Sequence, residues 1–546
     1  MSFFSGRNWE SQLAQVPDQS VQVALVEFPY NEADRYQAFG GAEALAAAAA
    51  YLQACRHVLQ QLRRVLDDAV VYVVDLPRWL PFHALALEEE GLRFKNWIAV
   101  AVAAAAEPPG ASRHLSVPLT PVHTGILVYV TDPVFVALQK VREPHQTCRR
   151  CHLPLADWGG KKAQRNPAGR VISDIWVHTP FFPPEALSQA GHASSAAAAS
   201  SSQTPGSQEE AQAEILRRLF GLARGQGRRA AVVVQPEFAD ELPAPPPNLP
   251  TLSISQSTPE PAPTQPTPTR PTNVQPLLQR DQPLAARPLY EPLPLDPTAP
   301  LALDTLYQAD VVAALRHVPD DSIDLAFADP PYNLEKEYSR YEDDRQESEY
   351  LRWCEEWLAE YVRILKPTGS LFVVNLPRWA VHHAAYLSSR LYLQHWIAWD
   401  ALSEPRGRIM PAHYAVLYYT KSPTGFTFHP QRCYPPDYCF RARCVRRRDP
   451  QAETMPLTDI WYDIHRIRHR RDRDAHPCQL PLRLLDRIIE MATNPGQVVL
   501  DGFAGTGSAM ITAYQRGRHF IGVDIDPKYL TITAHKLRSQ LPIVER

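Results

Sequence analysis

Val498-Val499-Leu500-Asp501-Gly502-Phe503-Ala504-Gly505-Thr506-Gly507 is the stretch whose reading decides the fold. An apolar run ends on an acid and enters a loop with glycine at 502, 505 and 507. That pattern predicts a buried strand opening into a tight turn, where glycines let a backbone approach a ligand closely. A helix is predicted from Ser508 and a strand over Phe520 to Val523, closed by Asp524. An acid at the end of the second strand of such a unit is placed to bind ribose hydroxyls. The spacing is not the dinucleotide fingerprint Gly-x-Gly-x-x-Gly, and the loop alone also fits an ordinary βαβ unit.

Working outward, the next informative stretch lies upstream. Ile323-Asp324-Leu325-Ala326-Phe327-Ala328 predicts a buried strand running into Asp329-Pro330-Pro331-Tyr332-Asn333. Ligands bind at the carboxyl ends of strands in open α/β sheets. Each proline fixes φ and lacks an N–H, so the turn is stiff and presents carbonyl acceptors. A carboxylate beside a carbonyl can accept both hydrogens of an aromatic amine and leave its lone pair nucleophilic. Tyr332 offers a face on which a flipped base can stack. The plain alternative is a Pro-Pro turn preceded by an acid.

Around these motifs, strands are predicted at Ser370 to Asn375 and His413 to Thr420. Helices are predicted at Tyr350 to Leu365 and Leu482 to Ala492. In the first helix Leu351, Cys354, Leu358, Tyr361 and Leu365 would share one face. Strands alternating with helices imply an α/β fold, with a parallel or mostly parallel sheet and helices on both faces.

At 546 residues the chain is long enough for at least two domains. Its 53 prolines are uneven, and residues 243 to 300 are rich in Pro, Thr, Gln and Leu, which reads as an extended linker. Residues 192 to 208 are mostly Ala, Ser and Gly and read as a loose surface loop. The expected organisation is therefore 1–240, a linker 241–300, and 301–546. The net charge of −3 conceals arginine clusters late in the chain, so nucleic acid is not excluded as a partner. No apolar run reaches the ~18 residues of a membrane span, and no secretory pattern opens the chain. Eight cysteines are too few for a disulfide scaffold, which fits a reducing compartment. A cytoplasmic location and no membrane partner are expected.

The two halves resemble each other. Tyr51-Leu52-Gln53-Ala54-Cys55 recurs as Tyr350-Leu351-Arg352-Trp353-Cys354, and Val73-Val74-Asp75-Leu76-Pro77-Arg78-Trp79 recurs as Val373-Val374-Asn375-Leu376-Pro377-Arg378-Trp379. Trp97-Ile98-Ala99 recurs as Trp396-Ile397-Ala398, and Asp174-Ile175-Trp176 as Asp459-Ile460-Trp461. The preserved order implies a tandem duplication.

Taken together, the acid-Pro-Pro-Tyr motif first and the glycine loop last, the C-terminal half resembles the β-class DNA N4-cytosine/N6-adenine amino-methyltransferases. The resemblance runs from about Leu303 to Glu545. His476-Pro477-Cys478-Gln479-Leu480-Pro481 matches the segment that precedes the cofactor loop in that family, departing from it at Cys478 and Leu480. The resemblance implies a Rossmann-like sheet that binds S-adenosylmethionine, present twice with the N-terminal copy incomplete. It implies direct methyl transfer to the exocyclic amine of a flipped base in double-stranded DNA. Asp329, Pro330, Pro331 and Tyr332 would form the catalytic motif. Asp501, Phe503, Gly505, Gly507 and Asp524 would hold the cofactor, with Asp310 at the position of an acid that contacts the cofactor adenine. Asp at the first motif position is usual for adenine N6 enzymes and Ser for cytosine N4 enzymes, so adenine at a specific sequence is the expected target. Cytosine N4 and a catalytically silent DNA-binding regulator are the alternatives. A restriction-modification role with a cognate endonuclease and a stand-alone role are both open.

The N-terminal copy lacks both motifs. Glu27-Phe28-Pro29-Tyr30-Asn31 stands in place of the catalytic motif, and Gln235-Pro236-Glu237-Phe238, without glycine, follows the helix Ile215 to Ala223 and the strand Ala230 to Val234. This half is expected to be inactive and to serve as a built-in second subunit, a pseudo-dimer. Arg441, Arg443, Arg446, Arg447 and Arg448, then Arg466, Arg468, Arg470, Arg471 and Arg473, form clusters suited to DNA phosphates or to a solvated surface. No site residue is assigned to a metal. Cys148-Arg149-Arg150-Cys151 has zinc-ligand spacing, which two of Cys433, Cys439 and Cys444, or His145 or His152, could complete. Cys55 and Cys354 are repeated core positions on helices.

Overall fold

A computed structural model describes residues 2–29, 34–35, 37–101, 119, 121–134, 136, 138–143, 148, 151–153, 170–176, 208–223, 231–237, 288, 290–336, 340–341, 343–401, 409, 412–436, 438–439, 444, 454–464, 466–467 and 479–539. In the N-terminal half the strands are β1 Ser2–Gly6, β2 Val21–Glu27, β3 Phe39–Gly40, β4 Leu66–Asp75, β5 Arg93–Ala101, β6 His123–Val130, β7 Arg142–Glu143, β8 Arg170–Val171, β9 Ile175–Trp176 and β10 Ala231–Pro236. The C-terminal half has β11 Thr305–Gln308, β12 Ile323–Ala328, β13 Leu365–Asn375, β14 Tyr392–Asp400, β15 His413–Thr420, β16 Arg432–Cys433, β17 Met455–Pro456, β18 Ile460–Trp461, β19 Val498–Asp501 and β20 His519–Asp524.

The C-terminal sheet runs β11-β20-β19-β12-β13-β15-β14-β18. It is parallel from β11 to β13, and β15 then lies antiparallel to both β13 and β14. Every residue of β12 is buried, as the apolar run requires of a strand covered on both faces. From β12 the chain continues to β13 on one side, while β19 and β20 fill the other side. The strand order therefore reverses between β12 and β19, the place where open α/β sheets leave a crevice. The register Phe327↔Asp501 brings the turn after β12 and the glycine loop after β19 out side by side.

The helix after the Asp329–Tyr332 turn spans Glu347–Ile364, starting earlier than its periodicity suggests, and Leu365 opens β13 instead of closing the helix. Its buried face is Tyr350, Cys354, Trp357, Leu358, Tyr361 and Ile364, with Leu351 at the flank. The large aromatics decide which face turns inward, because they bury the most area. Cys55 and Cys354 are both fully buried on their helices. Glu291, placed by composition in the linker, bridges Tyr307 of the edge strand β11. Glu291 N–H donates to the Leu306 carbonyl and Gln308 N–H to the Glu291 carbonyl. An edge strand leaves backbone groups open, and the end of the proline-rich stretch satisfies them.

The N-terminal sheet runs β1-β10-β2-β4-β6-β5-β9. Strand for strand, β10, β2, β4, β6, β5 and β9 take the places of β19, β12, β13, β15, β14 and β18, with the same parallel and antiparallel pairings. At the edge, β1 lies parallel beside β10 where β20 lies beside β19, and among the described residues no strand takes the place of β11.

The halves meet through reciprocal contacts. Trp97 and Trp396 stack with ring centroids 3.9 Å apart and planes 6° from parallel, both buried. Asp459 accepts from Val122 N–H at 2.8 Å, and Asp174 accepts from Ala412 N–H at 2.9 Å and His413 N–H at 3.0 Å. Residues repeated in the sequence thus exchange the same bond in both directions, the pattern of a two-fold interface. Strand β3 also pairs with β14 of the other half. One hydrophobic cluster runs through both halves, from Trp9 to Val523.

Candidate active site

The crevice between β12 and β19 opens into a cavity enclosing ≈ 1090 Å³, part of it open to solvent. The structure brings all ten residues singled out above as catalytic or cofactor-binding to or beside this cavity. Asp310, Asp329, Pro330, Pro331, Asp501, Phe503, Gly505 and Asp524 line it. Tyr332 sits behind the wall with its hydroxyl on Asp329. Gly507 also stands behind the wall, at the left-handed N-cap of the helix Ser508–Gln515.

Asp329 follows β12 and is half-buried. Its Oδ1 accepts from the Tyr332 hydroxyl at 2.5 Å. Burial pushes the carboxyl up to about 7, against the hydrogen bond from Tyr332 and the charge of Lys336. The turn is held from behind by aromatic donors. Tyr350 Oη donates to the Pro331 carbonyl at 2.7 Å, and Trp379 Nε1 donates to the Tyr332 carbonyl at 2.7 Å. Among the described residues nothing donates to Asp329 Oδ2 or to the Pro330 carbonyl. Two neighbouring acceptors are therefore open to a ligand with two hydrogens on one nitrogen.

Beyond Tyr332 the chain turns through Asn333 and Glu335, both at positive φ. Asp343, buried, anchors this turn. Its carboxylate accepts from the backbone N–H groups of Asn333 at 2.8 Å, Leu334 at 3.1 Å and Lys336 at 3.2 Å. Sequence reading missed Asp343, because an acid seven to ten residues from its partners has no local pattern.

The glycine loop is built the same way. Asp501 Oδ1 accepts from Phe503 N–H at 2.9 Å, and Asp524 Oδ2 accepts from Gly505 N–H at 2.8 Å while its Oδ1 accepts from Asp526 N–H at 2.8 Å. Tyr361 joins the two motifs: its hydroxyl donates to the Phe327 carbonyl at 3.0 Å and accepts from Gly502 N–H at 2.8 Å. A Cβ on Gly502 would lie 2.5 Å from that hydroxyl, so the close approach excludes any side chain. Phe503 packs edge-on against Trp353 and Trp357 with centroids 5.9 and 5.3 Å away. Ile525, 42% exposed, presents an aliphatic face to the cavity directly after Asp524. Trp353 and Ile525 also line the site and were not singled out by sequence. An exposed aliphatic beside the terminal acid of a strand is the signal that could have found Ile525.

Desolvation raises Asp501 well above the usual carboxylate range, opposed by Phe503 N–H and reinforced by the charges of Asp329 and Asp524. Asp524 is pushed up to about 6, chiefly by burial and against the N–H groups of Asp526 and Gly505. Three acids crowding one cavity favour a ligand that carries positive charge. Asp310 is exposed at the cavity rim and caps the helix Val311–Leu315, accepting from Ala313 N–H at 3.1 Å. A purely structural capping role accounts for that contact.

The N-terminal counterpart is closed. Glu27 Oε2 accepts from Gln235 Nε2 at 2.7 Å across the equivalent of the crevice. Phe28, in place of the first proline, is buried against the His83 ring at 4.6 Å. Tyr30, Asn31, Phe238, His145 and His476 to Cys478 lie outside the described residues, as do both arginine clusters apart from Arg466. Cys148, Cys151, Cys439 and Cys444 come together, whereas Cys433 lies near the Pro456 carbonyl and Tyr462.

Comparison with known proteins agrees with this geometry. A family model described as DNA methylase matches residues 323–535, from the start of β12 to the last described helix. The Type II methyltransferase M.BamHI of Bacillus amyloliquefaciens is 38% identical over 236 residues, 41% of this chain and 55% of that protein. The Type II methyltransferase M.HpaI of Haemophilus parainfluenzae is 31% identical over 238 residues, 42% of this chain and 73% of that protein. The DNA adenine methyltransferase YhdJ of Escherichia coli K12 is 30% identical over 244 residues, 43% of this chain and 82% of that protein. The chain thus spans about half the length of M.BamHI and more of the other two.

Proposed function

The chain belongs to the N6/N4 DNA methylase family, and from that premise we propose that its C-terminal half methylates the exocyclic amine of a base flipped out of double-stranded DNA, adenine N6 at a specific sequence. The observation that carries this reading is the pair of open acceptors, Asp329 Oδ2 and the Pro330 carbonyl, in a buried turn beside the glycine loop. An amine seated there gives one hydrogen to each acceptor, which draws its lone pair out of the ring. Tyr332 fixes the carboxylate, and Asp343, Tyr350 and Trp379 fix the turn, so the acceptors need not reorganise when charge develops.

The residues present fit S-adenosylmethionine. Gly505 at φ 50° and Gly507 at φ 84° hold a backbone turn that side chains rarely adopt, and Asp310 and Asp524 offer acceptors for hydroxyl and amine groups. Phe503 and Ile525 offer apolar faces for a purine, and the three crowded acids favour a sulfonium. When bound, that cofactor supplies an activated methyl group: its carbon–sulfur bond breaks as the nitrogen–carbon bond forms. The amine then carries a surplus proton, for which Asp329 is the nearest base in the site.

Incubating unmethylated plasmid with methyl-labelled cofactor, followed by nucleoside analysis, tests the reading. Label in N6-methyladenine is expected. Label in N4-methylcytosine would overturn the choice of base, and no label on diverse DNA would favour a silent DNA-binding regulator.

For residues 1–240 we propose a degenerate copy of the same fold that acts as a permanent second subunit, with catalysis confined to 301–546. Support comes from the shared strand order, the Glu27–Gln235 bond across the equivalent crevice, and the reciprocal Asp174 and Asp459 contacts. Stacked tryptophans of the Trp97–Trp396 kind contribute about 0.5–1.5 kcal/mol beyond their area burial. Co-expressed as two polypeptides divided within residues 241–287, the halves are expected to co-purify. Their separation on a sizing column would sink the proposal.

A further inference from the structure

We infer that Cys148, Cys151, Cys439 and Cys444 form a structural zinc site that ties the two halves together. Their sulfur atoms all lie within 4.8 Å of one another. Cys148 Sγ is 3.8 Å from Cys444 Sγ, and Cys151 Sγ is 3.7 Å from Cys439 Sγ. Four thiolates at zinc–sulfur bonds of ~2.3 Å in a tetrahedron stand about 3.8 Å apart, so these separations are the edges of a zinc tetrahedron. They are far beyond the ~2.05 Å of a disulfide, and none of the four is disulfide-bonded. The set is also compact enough for a single ion.

The surrounding backbone suits ligation. Cys148 N–H donates to the Leu153 carbonyl at 2.7 Å, and His152 N–H donates to the Cys148 carbonyl at 2.8 Å, with His152 at φ 54°. These bonds tie Cys148 to His152 and Leu153, next to Cys151. Cys148, Cys439 and Cys444 are buried, Cys151 is partly exposed, and the four form a cluster of their own, apart from the main hydrophobic cores.

The topology explains why a metal belongs there. The segment carrying Cys148 and Cys151 leaves the N-terminal half between the paired strands β7 and β8. The segment carrying Cys439 and Cys444 leaves the C-terminal half between β16 and β17. Each excursion is rooted by a pair only two residues long, too short to be stable on its own in water. Each is rich in arginine: Arg149 and Arg150 lie between the first two ligands, and Arg441, Arg443 and Arg446 flank the others. Such segments have little apolar area to bury, and a metal bond supplies the cross-link that a core would otherwise provide. Four thiolates on Zn²⁺ leave a charge of −2, and the sequence places these arginines close to the ligands.

The test is elemental analysis of the full chain, purified under reducing conditions and dialysed without chelator. About one zinc per chain is expected, as for a four-thiolate structural site. Cys433→Ser, outside the cluster, should keep the metal, and Cys439→Ser should lose it. Replacement of zinc by Co²⁺ should give the thiolate charge-transfer bands of a tetrahedral site. Metal-free wild-type protein, iron in place of zinc, or full zinc retention in soluble Cys439→Ser would each overturn the assignment. Should Cys439→Ser fail to fold, the wild-type metal content decides alone.

Discussion

Asp329→Ala is expected to lower kcat by about 10³-fold or more, while the affinity for S-adenosylmethionine changes little. The carboxylate has two jobs in the proposed reaction: accepting one amine hydrogen, and receiving charge as the nitrogen–carbon bond forms. Alanine removes both and leaves the glycine loop alone, because Asp501 and Asp524 take their hydrogen bonds from backbone N–H groups within or next to that loop. Single-turnover rates and calorimetric cofactor binding separate the two effects. Transfer that persists near the wild-type rate would sink the assignment. The same group sets a pH dependence. Burial raises Asp329 to about 7, so below that pH its oxygen carries a proton and donates where it must accept. In the free enzyme kcat/KM should therefore fall about tenfold per unit below pH 7 and level off above it. The Tyr332 hydrogen bond holds this value down. Tyr332→Phe should move the limb to higher pH, and a limb that stays in place would contradict that role.

Gly507→Ala is expected to produce the second large loss, this time in cofactor affinity. Gly507 sits at φ 84°, and a Cβ there would fall 2.2 Å from Thr533 Cγ2 and 2.7 Å from its Oγ1. Thr533 is buried, and its Oγ1 lies 3.0 Å from the Gly505 carbonyl and 3.0 Å from the Tyr529 carbonyl. Neither side can yield without moving the glycine loop. Strain at positive φ and overpacking together cost about 2–4 kcal/mol, which is about 30- to 1000-fold in binding if the loop must be restored to hold the ligand. Gly425→Ala is the matched control. It has φ 77° and nothing within 4 Å of its Cβ, so strain alone remains, about 1 kcal/mol of stability with transfer unaffected. Equal cofactor affinity in folded Gly507→Ala and wild type would show that the loop does not carry the binding.

Much of the site was legible because its signals are local. Asp329 to Tyr332 and Gly502 to Gly507 are short motifs whose chemistry follows from proline and glycine geometry, and each follows a short buried strand. The strand His413–Thr420 and the helix Leu482–Ala492 follow their sequence patterns to the residue. What was not legible depends on distance along the chain. Asp343 holds Asn333 from ten residues away, and Tyr361 reaches Gly502 across 141. Tyrosine on a helix face reads as core until the fold supplies the polar group that its hydroxyl needs. Glu291 reads as linker by composition, yet it bridges β11 because an edge strand offers hydrogen bonds irrespective of side chain.

Sequence alone determined the α/β class and the order of the two motifs, since periodicity and glycine spacing are properties of the chain itself. Only tertiary structure decided that Asp329 and the glycine loop leave adjacent strands at the point where the strand order reverses, through the register Phe327↔Asp501. It also decided which cysteines meet: the sequence left Cys433, Cys439, Cys444, His145 and His152 open as partners for Cys148 and Cys151, and the fold brings Cys439 and Cys444 to them while Cys433 stays on its strand. Strand pairing fixes where distant residues exit a sheet, and that information lies in the register between segments.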